Sequence, residues 1–98
     1  MARWVCVFED APEMLSIRSE RRLSHHAYLS QNTGTILRAG ALLPDGDGPP
    51  TGALWLLDVE RREEAIRLIE QDPYYEPQHR SYRLFEWRWA LSYPVDVA

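Results

Sequence analysis

The 98-residue sequence contains no lysine, since all 11 of its basic residues are arginine. Without lysine the protein cannot form a Schiff base with a carbonyl substrate, and it cannot supply the lysine of a phosphate-binding P-loop. A single cysteine excludes an internal disulfide framework and favours a reducing compartment. From these absences we expect a cytoplasmic protein whose chemistry depends on a few other side chains.

Long apolar runs are absent as well. No segment approaches the roughly 18 consecutive apolar residues that a membrane span requires. The N-terminal segment reaches Glu9 and Asp10 too early for a secretory signal, so neither membrane insertion nor export is expected. The net charge is −4 and the arginines are interspersed with acidic residues, which argues against a nucleic-acid-binding surface. A small molecule and further copies of the chain remain as expected partners.

Hydrophobic periodicity divides the chain into six elements within one domain, residues 1–98. Alternating or continuous apolar runs predict strands, and apolar residues three and four apart predict helices. The predicted strands are 3–8, 35–43, 53–59 and 81–91, and the predicted helices run from about 10 to 32 and from 60 to 71. Asp10 and Glu13 have the spacing of a capping box, and Asp72-Pro73 ends the second helix. Gly40 is expected at a bulge or a close backbone approach.

This β-α-β-β-α-β order is that of the ferredoxin-like α+β fold. We therefore predict a four-stranded antiparallel sheet with both helices on one side. The other sheet face then has no cover within the chain, although Trp55, Trp87 and Trp89 all lie in predicted strands. Burying them favours a homodimer in which two sheets pack face to face.

Short motifs follow one another along almost the whole chain. They are Phe8-Glu9-Asp10, then Arg22-Leu23-Ser24-His25-His26-Ala27-Tyr28-Leu29, then Ala39-Gly40 and Thr51-Gly52, and finally Glu63-Glu64-Ala65 with Asp72-Pro73-Tyr74. In order and spacing they resemble the YciI-like (YCII-related) family of small dimeric α+β-barrel proteins, whose helix motif is Arg-x-x-His-x-x-x-Leu. The chain departs from the family at Ala41, where proline is usual, at His26, where an apolar residue is usual, and over residues 75–80.

The resemblance implies a dimeric α+β barrel with a histidine and an aspartate in a cleft, here His25 and Asp72. One branch of the family is similar to a lyase that removes hydrogen chloride from chlorinated hydroxyquinols. Related barrels include muconolactone isomerases and cofactor-free monooxygenases. Most members have no assigned reaction, and residues 75–80 lie near the expected substrate position, so the substrate class does not transfer.

The residues themselves point to one face of the first helix. Arg22, His25 and Leu29 are three and four residues apart and share a stripe. An imidazole turned toward the sheet suits general acid or base catalysis near pH 7, and Arg22 offers a fork for a carboxylate or enolate oxygen. The alternative for His25 is a structural histidine bonded to a backbone carbonyl. His26 points about 100° away and is expected at the surface or a dimer edge.

Asp72, Tyr74 and Asp10 complete the candidate site. Asp72 lies on the inward stripe of the second helix at its C-terminal end, where a carboxylate opposes the helix dipole. It either orients His25 or acts as a base, and the alternative is an Asx-type turn before the following proline. Tyr74 is a candidate donor to a substrate oxygen or a packing ring. Asp10 is a candidate substrate contact or only the helix cap.

Metal and cofactor motifs are absent from the sequence. Adjacent His25 and His26 cannot both face one ion from a helix, and no His-x-x-x-His, Cys-x-x-Cys, Rossmann glycine or Gly-x-Ser-x-Gly pattern occurs. We therefore hypothesise a lyase, isomerase or cyclase that needs no cofactor and acts on a small oxygenated compound, aromatic or enolisable. His25 and Asp72 would move the proton, and Arg22 or Tyr74 would steady the oxyanion. The alternatives are a small-molecule-binding or sensing dimer without chemistry and a cofactor-free monooxygenase.

Overall fold

The computed structural model describes residues 3–88 as six elements in the predicted order. The strands are β1 (Arg3–Asp10), β2 (Ile36–Leu42), β3 (Gly52–Asp58) and β4 (Arg80–Glu86), and the helices are α1 (Met14–Gln31) and α2 (Arg62–Glu70). The strands form one antiparallel sheet in the order β2-β3-β1-β4. This arrangement confirms the predicted ferredoxin-like α+β fold.

The core lies between the helices and one face of the sheet. On β1 the alternating residues Cys6 and Phe8 are buried, and the antiparallel register sets Trp55 of β3 beside Cys6. Helix α2 adds Ala65 and Ile69, which are four residues apart and fully buried. The two-residue period of the strands and the near four-residue period of the helix thus converge on one apolar cluster.

Helix α1 contributes less to this core than its length suggests. Over its 18 residues only Met14 and His25 are buried, although Tyr28 and Leu29 pack at the margin of the core. The Tyr28 hydroxyl donates to the carbonyl oxygen of Leu68 at 2.6 Å and joins α1 to α2. Much of α1 therefore remains available to line a cavity. Neither described helix is long and apolar enough to cross a membrane.

The tryptophans are distributed differently from the prediction. Trp55 lies on the helix-covered face, is 1% exposed, and packs edge-on against Phe8 with ring centroids 5.2 Å apart. Its burial needs no second copy, so that part of the prediction was wrong. Trp87 follows β4 and remains 48% exposed. Trp89 and the rest of the predicted strand beyond residue 88 lie outside the described residues.

The sheet face opposite the helices is apolar and open. Val5, Leu54, Phe85 and Trp87 meet there around a groove of about 360 Å³. Leu54, Phe85 and Trp87 each expose 40% or more of their surface. Among residues 3–88, no helix packs over this face.

Two local predictions were wrong. Asp10 does not cap α1, because it is paired within β1 and its carboxylate binds arginines instead; the N-cap residue is Glu13, which makes no side-chain cap hydrogen bond. The irregularity expected at Gly40 lies instead between Ile36 and Arg38. Gly40 keeps regular pairing with β3, so its missing side chain serves no bulge there.

Cys6 lies in the core, as its alternation with other apolar residues predicts. Burial raises the pKa of its thiol to about 12, against the smaller opposite effect of the Arg80 charge. The thiol therefore stays protonated at neutral pH and is not an available nucleophile.

Gly52 provides a test of how closely β1 and β3 approach. A Cβ at this position would overlap the carbonyl oxygen of Phe8, and backbone cannot move aside as a side chain can. We expect Gly52→Ala to lower the free energy of unfolding by roughly 3 kcal/mol, the upper range for overpacking. Gly40→Ala is the matched control, because nothing lies within 4 Å of a Cβ there. Urea unfolding measures both variants, and equal losses would contradict the close approach.

Candidate functional site

A cavity of about 390 Å³ opens between α1 and the β2 side of the sheet. The wall formed by α1 carries Arg18, Arg22, His25 and His26. The facing wall consists of small residues, 39–41 of β2 and Ala53 of β3, with Trp55 beside them. The lining is completed by Leu29, Pro50, Tyr74 and Arg80. The volume is at the lower end of the range for small-molecule sites.

The structure brings His25 and Asp72 together at this cavity. Nδ1 of His25 is 2.7 Å from Oδ1 of Asp72, and the two side chains are 11% and 2% exposed. α1 supplies the histidine, and the residue after the C-cap of α2 supplies the aspartate. Because a carboxylate only accepts hydrogen bonds, Nδ1 carries the hydrogen and donates it, and in the neutral imidazole the lone pair then lies on Nε2.

Asp72 also shapes the turn that follows α2. Its Oδ1 accepts the backbone N–H of Tyr74 at 3.2 Å, which makes an Asx-type turn. Of the three roles considered for Asp72, the contact with His25 and the Asx-type turn are both present in the geometry, and they use the same oxygen. The other oxygen, Oδ2, is buried without a hydrogen-bond partner among residues 3–88. The bond from His25 is therefore the main side-chain compensation for burying this carboxylate.

Tyr74 lies flat against the imidazole of His25. The ring centroids are 3.8 Å apart and the planes differ by 9°. The Tyr74 hydroxyl donates to the carbonyl oxygen of Arg18 at 3.1 Å. Since a hydroxyl has one hydrogen, the predicted role as a donor to substrate is not available while this bond is made. In this geometry Tyr74 orients the plane of His25.

Asp10, Arg80 and Arg18 form a buried charge network next to the cavity. Arg80 donates from Nε to Oδ1 of Asp10 at 2.7 Å and from Nη2 to Oδ2 at 3.0 Å. Arg18 donates from Nη2 to the same Oδ2 at 3.2 Å and to the carbonyl oxygen of Gly52 at 2.9 Å. The side chains of Asp10 and Arg80 are each 1% exposed. Two guanidinium groups share one carboxylate, so the network retains one positive charge.

Arg18 is a site residue that was not predicted from the sequence, whereas Arg80 belongs to residues 75–80, which were expected near the substrate without a defined role. Arg18 precedes His25 by seven residues, about two helical turns, and this spacing was an available signal. Arg80 is the register partner of Asp10 across β1 and β4, which sequence spacing cannot show. Both arginines line the cavity, whereas Asp10, a predicted substrate contact, lies behind them and does not.

Arg22 and His26 lie on the exposed part of the cavity wall. Within residues 3–88 no carboxylate forms an ion pair with Arg22. His26 is exposed, as predicted for a surface histidine, and it also lines the cavity, with its ring 5.7 Å from that of His25. The cavity is wide enough to contact both His25 and His26, although the two residues are adjacent on α1. His79, by contrast, lines a separate shallow groove beside Asp10.

The arrangement is suited to proton transfer in a cationic setting. A hydrogen-bonded imidazole can accept or return a proton, and the arginines can stabilise negative charge on a ligand. No group of three or more histidine, cysteine, aspartate or glutamate side chains within residues 3–88 is placed to hold a metal ion.

Comparison with known proteins supports the fold. Residues 2–88 match the family model of the YCII-related domain. The structure is similar to that of the 5-chloro-2-hydroxyhydroquinone dehydrochlorinase from Burkholderia phenoliruptrix AC1100, solved in complex with 2,5-dihydroxybenzoquinone. The TM-score is 0.76 and the sequence identity 23%, with 88% of this chain and 93% of that chain covered. Comparison with curated proteins gives no significant match.

The buried network predicts a large effect of neutralising Asp10. We expect Asp10→Asn to lower the free energy of unfolding by roughly 3 kcal/mol, because two guanidinium groups lose their shared counter-charge. Glu13→Gln at the N-cap is the matched control and should change stability by less than about 0.5 kcal/mol, since Glu13 makes no side-chain cap bond. Urea unfolding at neutral pH measures both. If the two variants were equally stable, Asp10 would not have the role that the ion pairs assign to it.

Proposed function

The chain belongs to the YCII-related domain family, and on that premise we propose that it is an enzyme without a cofactor in which His25 moves a proton on a small oxygenated compound. The reaction is a lyase, isomerase or cyclase step on an aromatic or enolisable substrate. The observation that supports this proposal is the buried 2.7 Å hydrogen bond between His25 and Asp72 at the wall of the cavity. A single buried thiol suits the reducing cytoplasm, where we place this activity.

In this mechanism Nε2 of His25 accepts the proton from the substrate. Asp72 binds the Nδ1–H and so holds the tautomer in which Nε2 is free to act as the base. The imidazolium that forms is stabilised by the adjacent carboxylate, and it then returns the proton to a leaving group or to another carbon. Asp72 does not touch the substrate, so it is a positioning residue for His25.

The arginines stabilise the negative charge that develops on a substrate oxygen when the proton leaves. Arg22 is one helical turn before His25 and has no competing carboxylate among residues 3–88. Arg18 and Arg80 add positive charge from the buried part of the wall. Preorganised cations of this kind act without rearrangement during the reaction. Tyr74 contributes by holding the imidazole plane.

Among the possible reactions, we favour an elimination. The similar structure is named a dehydrochlorinase, and loss of hydrogen chloride requires a base to remove a proton as chloride leaves. A neutral imidazole whose conjugate acid is stabilised by a carboxylate is suited to that step. A cavity of about 390 Å³ has room for a single substituted ring.

The test is the rate of chloride release from a chlorinated hydroxyhydroquinone by wild type and single variants. We expect His25→Asn to lower kcat by a factor on the order of 10²–10⁴ with little change in KM, because the base is lost and the cavity is kept. Asp72→Asn should also lower kcat and should alter its pH profile, since the imidazolium loses its counter-charge. His79→Asn is the matched control, because His79 lies outside the cavity.

A His25→Asn variant that retains activity within a few-fold of wild type would contradict the role of His25. Product formation that stops when dissolved oxygen is removed would favour a monooxygenase. A compound that binds and is recovered unchanged from wild type would favour a binding or sensing domain.

We also propose that a second copy of the chain covers the open sheet face. A contiguous exposed apolar patch such as this one commonly marks an interface with another protein. Sedimentation at micromolar concentration should give about twice the 11.5 kDa chain mass. Phe85→Glu should shift the protein toward the monomer, whereas Leu23→Glu, at an α1 residue that is 84% exposed, should not. A wild-type mass near that of one chain would contradict the proposal.

A further inference from the structure

The charge of the cavity wall is opposite to that of the protein as a whole. The chain carries a net charge of −4. Within residues 3–88, however, the arginine and histidine side chains that line the cavity are Arg18, Arg22, His25, His26 and Arg80, and no carboxylate lines it. A wall of this composition selects for negative charge in the ligand.

The hydrogen bonds of the three arginines show that this positive charge is not fully compensated. Arg80 takes both oxygens of Asp10, and Arg18 shares one of them. Nε of Arg18 is buried and has no hydrogen-bond partner among residues 3–88. Arg22 makes no ion pair within the same part of the chain. With His25 neutral, three arginines opposed by Asp10 and Asp72 leave a single positive charge.

We propose that the substrate is a monoanion whose carboxylate binds Arg22, in the field of Arg18 and Arg80, while its reacting atom lies against His25. One carboxylate matches both the fork of a guanidinium and the single uncompensated charge. The reaction at His25 rests on the proposed function, whereas the carboxylate site rests on the arginines alone.

A phosphate ester fits the same wall less well than a carboxylate. A dianion would leave an excess negative charge against Asp10 and Asp72. Phosphate sites in proteins commonly use a helix N-terminus, and the N-terminal residue of α1, Met14, is not part of the cavity lining. The sequence also has no lysine to act as a compact phosphate ligand.

The spacing along α1 limits where the chemistry takes place on such a substrate. Arg22 and His25 are three residues apart, which corresponds to about 4.5 Å along a helix axis. A carboxylate held by Arg22 therefore places the reacting atom only a few bonds away from the carboxyl carbon. The substrate class is a small, hydroxylated or enolisable carboxylic acid, and the chloride-release test is accordingly repeated with a chlorinated hydroxyhydroquinone that carries a carboxyl group.

The experiment compares two probes that differ in charge and hardly in shape, 2,5-dihydroxybenzoate and 2,5-dihydroxybenzamide. Calorimetric titration should show that wild type binds the benzoate at least about tenfold more tightly than the benzamide. In Arg22→Gln the ratio should fall below about threefold, mainly through weaker binding of the benzoate. Arg67→Gln, at an exposed arginine of α2 outside the cavity, should keep the wild-type ratio.

Equal affinities for the two probes in wild type, or no benzoate binding at millimolar concentration, would overturn the carboxylate site. An undiminished ratio in Arg22→Gln would do the same. Neither probe has to react, so the result does not depend on the proposed catalysis. His25→Asn should retain the preference for the benzoate over the benzamide, while its rate of chloride release from the chlorinated substrate is lost. If His25→Asn kept both the preference for the benzoate and the wild-type rate of chloride release, the proposed function would be refuted. The carboxylate site would be unaffected by that result.

Discussion

A single buried carboxylate holds two guanidinium groups, and the surroundings of the cavity depend on this shared ion pair. Asp10 ends β1, Arg80 begins β4, and Arg18 extends from α1 and also binds the carbonyl oxygen of Gly52 at the start of β3. Burying these charges is costly unless hydrogen bonds complete them, and both carboxylate oxygens are used here. The network therefore contributes geometric definition more than net stability. Its consequence for function is the cation that remains uncompensated beside the cavity.

A second unit, His25 with Asp72 and Tyr74, joins α1 to the turn after α2. Asp72 holds the edge of the imidazole and Tyr74 holds its face, so the ring has little freedom to rotate. Tyr74 also connects the two units, because its hydroxyl binds the carbonyl oxygen of Arg18 and the guanidinium carbon of Arg80 lies 5.8 Å from its ring centroid. The imidazole of His25 and the guanidinium groups of Arg18 and Arg80 are thus positioned by one continuous set of contacts.

The periodicity of apolar residues was sufficient to predict the element order and most of the core. A strand face or a helix stripe that is buried shows a regular spacing of apolar residues over a short stretch of sequence. The meeting of His25 with Asp72 was anticipated through the resemblance to a family, not through spacing. The partners of Asp10 could not be found in the same way. A capping box is a local pattern, whereas the pairing of Asp10 with Arg80 arises from the register between β1 and β4, 70 residues apart in the chain. The same limitation explains Trp55, whose face depends on register, and Gly52, whose close neighbour Phe8 belongs to another strand.

An acidic protein can hold an anion because electrostatic interactions in salt solution are short-ranged. At physiological ionic strength the screening length is about 8 Å, so exposed acidic residues on the far side of the molecule have little effect inside the cavity. The arginines of the wall act at contact distance and from a partly desolvated position, where screening is weaker. A carboxylate bound at Arg22 would therefore be held by this local field, whatever the sign of the net charge of the molecule.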